Sequence, residues 1–482
     1  MKPTSAKKGL IYLAVAQLVM MGAGFLIHFW VGRYLGPESY GIYGIVLALM
    51  GVFNLFLVWG VPRAFSKYLP KNEKAHRLIL KKGLLIQLFF GIILGAFYFL
   101  ASPLLVLLLN DKTLMPYIQF SALVLPAYAL FSIYVGYFNG LRLFGIQSFL
   151  TIFYSLVKMV SAIGLIYVFR IYGAFAGFII APLVTFFIAF PFSFKKSLPQ
   201  PSKEKDFPTK KLIAFALPFI GLAVLLYIQR EIGLLLVKSF LKDNVTTGYY
   251  NAANTVAKIP YFFLEALALL ALPVVVKTFA SKKIQEAKGT IKRMISLLFI
   301  ILTPAVFLSY FTREEALEFL YGKAYLKGSY IFPFLVLSFS ILTLFFILAN
   351  IFAAIKSPAT PFKVSILMVI LNVAIAFYLI PEKHMAGAAF ATLFSAAVGT
   401  LIMAVILFNK IGPFVNVRFA AKIILIAFGA TIIALFLDLP LWLLPFEYVA
   451  LLAFYGLLLW LFKEIKKEDM LVLKDIILFR KD

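Results

Sequence analysis

The sequence predicts an all-α polytopic membrane protein. About fourteen transmembrane helices are expected, as two pseudo-symmetric six-helix lobes plus two extra C-terminal helices. Three observations lead there. Apolar runs long enough to cross a hydrocarbon core of ~30 Å recur from Gly9 to Phe462. Most of the 46 Lys and Arg residues fall in every second segment between those runs, the asymmetry produced when positive loops stay in the cytoplasm. Short patterns also recur at matching places in two halves of the chain.

Composition excludes a soluble fold. Hydrophobic residues make up 63% of the 482, only 14% are charged, and the mean hydropathy is +0.99. A net charge of +26 would point to nucleic acid in a soluble protein. On this chain it marks cytoplasmic loops facing anionic headgroups, so membrane lipids are the expected partner and nucleic acid is not. With no cysteine, neither disulfides nor thiolate metal sites are available. His28, His76 and His384 lie too far apart for ligand spacing, so no metal and no cofactor is expected.

The helices are predicted to start near Gly9, Tyr40, Gly83, Pro116, Gln147, Ile171, Leu212, Gly248, Thr290, Gly328, Pro361, Ala386, Phe419 and Leu441. The first run follows Lys7 and Lys8 as a signal peptide would. It continues to Val31, too long for such a core, and is helix one. A proline- and charge-rich stretch at 194–211 reads as a cytoplasmic linker with six helices before it. Residues 1–193 then form the N-terminal lobe, 212–409 the C-terminal lobe, and 410–463 helices thirteen and fourteen. The tail 464–482 places Met470, Leu473 and Ile477 on one face, as in an amphipathic helix lying on the inner membrane surface. Both termini are expected in the cytoplasm.

Two pairs of segments carry the repeat. Phe138-Asn139-Gly140-Leu141-Arg142 ends helix four as Phe352-Ala353-Ala354-Ile355-Lys356 ends helix ten. Tyr40-Gly41-Ile42-Tyr43-Gly44 opens helix two as Thr247-Gly248-Tyr249-Tyr250-Asn251 opens helix eight. Six-helix units in one orientation are parallel repeats, a transporter signature that places substrate between the halves.

These residues resemble the multidrug/oligosaccharidyl-lipid/polysaccharide exporter superfamily, in its polysaccharide flippase branch. The resemblance rests on Gly32-Arg33-Tyr34-Leu35-Gly36-Pro37-Glu38 with the Tyr40 motif, and on Gly60-Val61-Pro62-Arg63 with Ser66-Lys67-Tyr68. It continues in Tyr227-Ile228-Gln229-Arg230 and in Gly248-Tyr249-Tyr250-Asn251-Ala252-Ala253. It implies two lobes around a central cavity that move a polyprenyl-linked oligosaccharide across the cytoplasmic membrane. Members often carry an acid before the arginine of helix seven. This chain has Gln229 there and Glu231 after it, which leaves the ion-coupling role of that acid open.

Ionisable groups within a bilayer cost at least ~2.5 kcal/mol at helix centres, so they are functional or paired. Lys158, Arg230 and Lys258 are the candidates for a cationic substrate site, with Glu231 and Glu265 beside them. A lipid-linked sugar carries phosphate or pyrophosphate, which arginine receives as a fork and lysine as a point charge. Asn54, Gln87, Asn251, Asn254, Asn350 and Asn372 are amides suited to sugar hydroxyls, or to bonds between helices. His28 on helix one and Arg63 at the inner end of helix two complete the set; Arg63 reads as an interfacial anchor or gate.

Three functions compete. The first is a lipid-linked oligosaccharide flippase working by alternating access, with a monomer as the expected transport unit and a coupling cation, Na+ or H+, as a further expected partner. The second is a cation-coupled multidrug exporter of the same fold, which wants buried acids where helix one has none. The third is a polytopic glycosyltransferase or acyltransferase. Arg313-Glu314-Glu315 reads as a charged turn and no carboxylate or histidine cluster supports catalysis, so no enzyme activity is expected.

Overall fold

Gly36 adopts φ 79°, a conformation that L side chains rarely take, and Pro37 follows it with a φ preset for a helix start. That pair divides the first long helical stretch of the computed structural model into α1 (6–35) and α2 (37–59). The described residues are 6–60, 62–63, 69, 76–193, 209–280, 284–355, 357–414, 416–437 and 439–464. Among them the chain forms helices and turns, with no strand.

After α2 come α3 (His76–Leu100), a short helix Ser102–Leu108, and a 3-10 turn leading into Met115–Ser121 and α4 (Val124–Gly140). A second long stretch, Phe144–Ser193, breaks at Arg170 into α5 (144–169) and α6 (171–193). The later helices are α7 (Thr209–Leu241), α8 (Asn244–Ala280), α9 (Ile284–Phe311), α10 (Phe332–Ala354), α11 (Ala359–Lys383), α12 (Met385–Ile411), α13 (Val417–Thr431) and α14 (Leu444–Leu461). Eleven described segments are long and apolar enough to cross a membrane. Two of these, Ile11–Trp59 and Phe144–Ser193, are the broken stretches, and α8 adds the last helix of fourteen.

The protein is therefore polytopic in the membrane, as expected, and most helix starts lie within a few residues of those read from sequence. One difference is a short helix at Arg313–Tyr321, where a charged turn was expected. Glu314 and Glu315 occupy its first turn, where a helix N-terminus favours acids. The tail 465–482 and residues 194–208 of the linker lie outside the described residues, and α7 begins at Thr209.

Residues to 231 with 238–248 form one compact unit; 232–237 with 249 onward form the other. In the first, Phe131, Tyr134, Tyr137 and Phe138 of α4 pack with Tyr154 of α5 and with Ala181 and Ala189 of α6. Gln87 of α3 is fully buried there and donates to Leu57 O of α2 and to Ser132 Oγ of α4, both at 2.9 Å. The second unit carries the extra helices. Ile423, Ala427 and Ala430 of α13 and Tyr455 and Leu459 of α14 pack with Phe299, Ile300 and Phe307 of α9. Tyr455 Oη seals that contact by donating to Ile300 O at 3.0 Å. Outward-facing Phe89, Phe97, Phe187, Phe377 and Trp460 are strongly exposed, as lipid-facing side chains should be.

The same backbone turn occurs once in each unit. Arg170 joins α5 to α6 at φ 49°, ψ −128°; His384 joins α11 to α12 at φ 52°, ψ −129°. Helix five pairs with six as eleven pairs with twelve, which is what a parallel repeat produces.

Candidate functional site

Lys158 lies in mid-α5 with a side chain only 9% exposed. Its Nζ sits 5.4 Å from the ring centre of Tyr154, one helical turn earlier, and 5.0 Å from that of Phe178. Phe178 reaches it because the Arg170 turn folds α6 back along α5. Both distances are within the range of cation–π attraction, which strengthens when the pair is desolvated. No carboxylate pairs with Lys158 among the described residues.

A second aromatic group adjoins the same face of α6. Phe175, three residues before Phe178, lies 5.5 Å from Tyr43 of α2. Tyr43 stands edge-on to His28 of α1 at 5.4 Å, and His28 Nδ1 hydrogen-bonds Tyr40 Oη at 3.0 Å. His28 is thus held by tyrosines on the following helix.

Arg230 and Glu231 also belong to the first unit. The Arg230 guanidinium carbon lies 5.6 Å from the ring centre of Tyr227, whose hydroxyl donates to Leu47 O of α2 at 3.3 Å. Lys258 belongs to the second unit, 8% exposed, with Nζ 5.9 Å from the Phe339 ring of α10. Asn251, Asn254 and Thr255 precede it on α8, all at least 96% buried, so a polar stripe runs along this helix at helical spacing. Amides and ammonium groups are costly to bury unless they are used, so this stripe is the second unit's main candidate.

The remaining candidates separate from these. Asn54 is half-buried on α2, and the Glu265 side chain lies outside the described residues. Arg63 is exposed beyond the end of α2, its guanidinium stacked 3.8 Å over Trp59, as an interfacial residue would be. Three amides are engaged in helix bonds: Gln87 as above, Asn350 with Phe346 O at 2.9 Å, and Asn372 with Thr392 Oγ1 at 3.4 Å. Reading the sequence missed the rings around Lys158. Tyr154 was visible four residues back, whereas Phe178 depends on the Arg170 turn.

The described helices thus form a many-span membrane bundle with cations buried within it. The polysaccharide biosynthesis protein family matches residues 6–279, more than half of the chain, and the chain belongs to that family. It is 24% identical over 172 residues to the probable low-salt glycan biosynthesis flippase Agl15 of Haloferax volcanii, and spans 36% of that relative's length. Among solved structures, it is similar to lipid II flippase MurJ in an inward closed conformation, with a TM-score of 0.72 and 16% identity over 94% of this chain and 99% of that one. An inward-facing multidrug resistance MATE transporter superposes with a TM-score of 0.68 and 14% identity, covering 82% and 98%. The chain has the fold of these solved transporters.

Proposed function

We propose that this protein moves polyprenyl phosphate- or pyrophosphate-linked oligosaccharide from the inner to the outer leaflet of the cytoplasmic membrane. It does so by alternating access, as a monomer, in the assembly of surface polysaccharide or glycan. The observation that carries the reading is Lys158: a buried cation in mid-helix, set between aromatic rings, with no carboxylate partner among the described residues. A cation so placed suits an anionic headgroup, while the lipid tail of the cargo stays in the bilayer.

In this reading Arg230 and Lys258 join Lys158 in receiving the phosphate, and Asn251 and Asn254 serve sugar hydroxyls. His28, Asn54, Arg63, Glu231 and Glu265 are secondary candidates, and Na+ or H+ is the candidate coupling ion. Residues 1–193 and 212–409 are the two lobes, and both termini are cytoplasmic. Family membership and the named function of Agl15 support a glycan carrier as cargo.

The likeness to a multidrug transporter supports a second reading, export of cationic drugs on the same fold. Purified protein separates the two. Saturable binding of a polyprenyl-pyrophosphate saccharide, with no competition from a cationic dye, is the expected result. Dye binding without saccharide binding overturns the proposal.

A further inference from the structure

The turn between α7 and α8 is set apart from the helices it joins. Residues 238–248 cluster with the first unit, whereas 232–237 and 249 onward cluster with the second. Polar contacts within the first unit hold that turn. Lys238, fully buried, places Nζ 2.6 Å from Asp111 Oδ2, and Asn244 Nδ2 donates to the same oxygen at 3.1 Å. Asp111 Oδ1 accepts from the backbone N of Thr113 at 2.8 Å and from its hydroxyl at 2.6 Å. Ser239 Oγ donates to Leu108 O at 2.6 Å, and Asn110 Nδ2 donates to Ser239 O at 3.1 Å. Asp243 stays out of this set and caps α8, accepting from Thr246 N at 2.8 Å.

The chemistry of the contact is unusual for a permanent joint. A buried ion pair is often no more stabilising than well-packed apolar residues of similar volume. Its members, however, rehydrate when they separate, whereas two apolar faces would be exposed to water at a cost. A joint that must open repeatedly at a membrane surface is therefore better built from charge and amide than from leucine.

We propose that Asp111, Lys238, Asn244, Asn110 and Ser239 form a releasable clasp, holding the α7–α8 turn on the first unit in the state described and letting it go once in each transport cycle. The inference rests on the alternating-access reading. It is tested without cargo, so a wrong substrate assignment does not affect it.

The absence of native cysteine makes the test direct. Thr247 is fully buried in the turn; Ser365, 2% exposed on α11, serves as a control for folding. Each is replaced singly by Cys in the full chain, in nanodiscs, and its rate of reaction with a polar maleimide is measured with and without Asp111→Asn. Release of the clasp should speed labelling at Thr247→Cys by about tenfold, the change that ~1.4 kcal/mol makes in an equilibrium, and leave Ser365→Cys protected. Lys238→Met should act in the same way. Unchanged labelling at Thr247→Cys in both backgrounds means a fixed staple and overturns the proposal. Faster labelling at both cysteines means that the pair maintains the fold itself, which overturns it as well.

Discussion

Gly41 and Gly248 meet reciprocally. A methyl group on Gly41 would overlap the carbonyl oxygen of Asn244, and one on Gly248 would overlap the carbonyl oxygen of Pro37. Pro37 opens α2 four residues before Gly41, and Asn244 opens α8 four residues before Gly248. Within the first unit, each glycine thus faces the opening residue of the other's helix. Backbone is the obstacle on both sides, so no side-chain rotation relieves a larger residue.

Gly41→Ala and Gly248→Ala should each lower stability by about 1–3 kcal/mol, the usual penalty of overpacking. The double variant should lose less than the two single losses combined, because the first alanine already separates the turns. Thermal unfolding of the purified variants checks both statements. Additive losses would mean that the two contacts are independent.

Asp111 sets the pH range of the joint. Burial pushes its carboxyl up, but this is outweighed by hydrogen bonds from Lys238 and Thr113 and by the Lys238 charge, which together hold it at about 2. A carboxyl depressed in the folded state contributes stability above its ordinary value near ~4, and loses it as pH falls through the folded value. Protection of Thr247→Cys should therefore be constant from about pH 5 to 8, and decline between about pH 4 and 2. A thiol-specific reagent that reacts in acid, such as an activated disulfide, reads this out. In Asp111→Asn the acid step should be absent.

The fold was legible because a bilayer demands length and apolarity, which a sequence displays whatever the packing. Alternation of charge predicts which side each loop faces, and the motifs around Gly41 and Gly248 predict a repeat. Arg313–Tyr321 was not legible as a helix, because it is short, polar and outside the spans. The candidate site was half legible. Lys158, Arg230 and Lys258 stand out as ions in apolar runs, but their neighbours come from other helices. The Asp111–Lys238 pair left no signal, since its members are far apart in sequence and Lys238 sits at a helix end where basic residues are ordinary.

Arg170 and His384 hold the same left-handed turn with side chains that disfavour it. A residue in a sparsely populated backbone region costs on the order of 1–3 kcal/mol. Glycine carries no such penalty at positive φ, although it adds entropy to the unfolded chain. Arg170→Gly and His384→Gly should each be stabilising or neutral in thermal unfolding, and close to equal in effect. A large loss at one site alone would show that its side chain does something the turn does not require.

In the proposed function the cationic residues receive the phosphate, and their replacement separates cargo binding from structural support. Lys158→Met keeps the length of the side chain and its contacts with Tyr154 and Phe178 while removing the charge. A charge-assisted contact to phosphate is worth ~1.5–3 kcal/mol, so affinity for a polyprenyl-pyrophosphate saccharide should fall roughly tenfold to a hundredfold. Thermal stability should hold or rise, because a buried cation is replaced by an apolar chain of similar shape. Arg230→Ala and Lys258→Ala should weaken binding to a similar degree, and Arg230→Lys should recover only part, since a point charge does not reproduce the guanidinium fork. Structural pairing predicts a different pattern for Lys258. Its loss would strand an acid in the membrane and lower stability, and Lys258→Ala combined with Glu265→Ala or Glu231→Ala would restore it. Normal saccharide binding by Lys158→Met, together with that rescue at Lys258, would place these charges in the scaffold and remove them from the transport site.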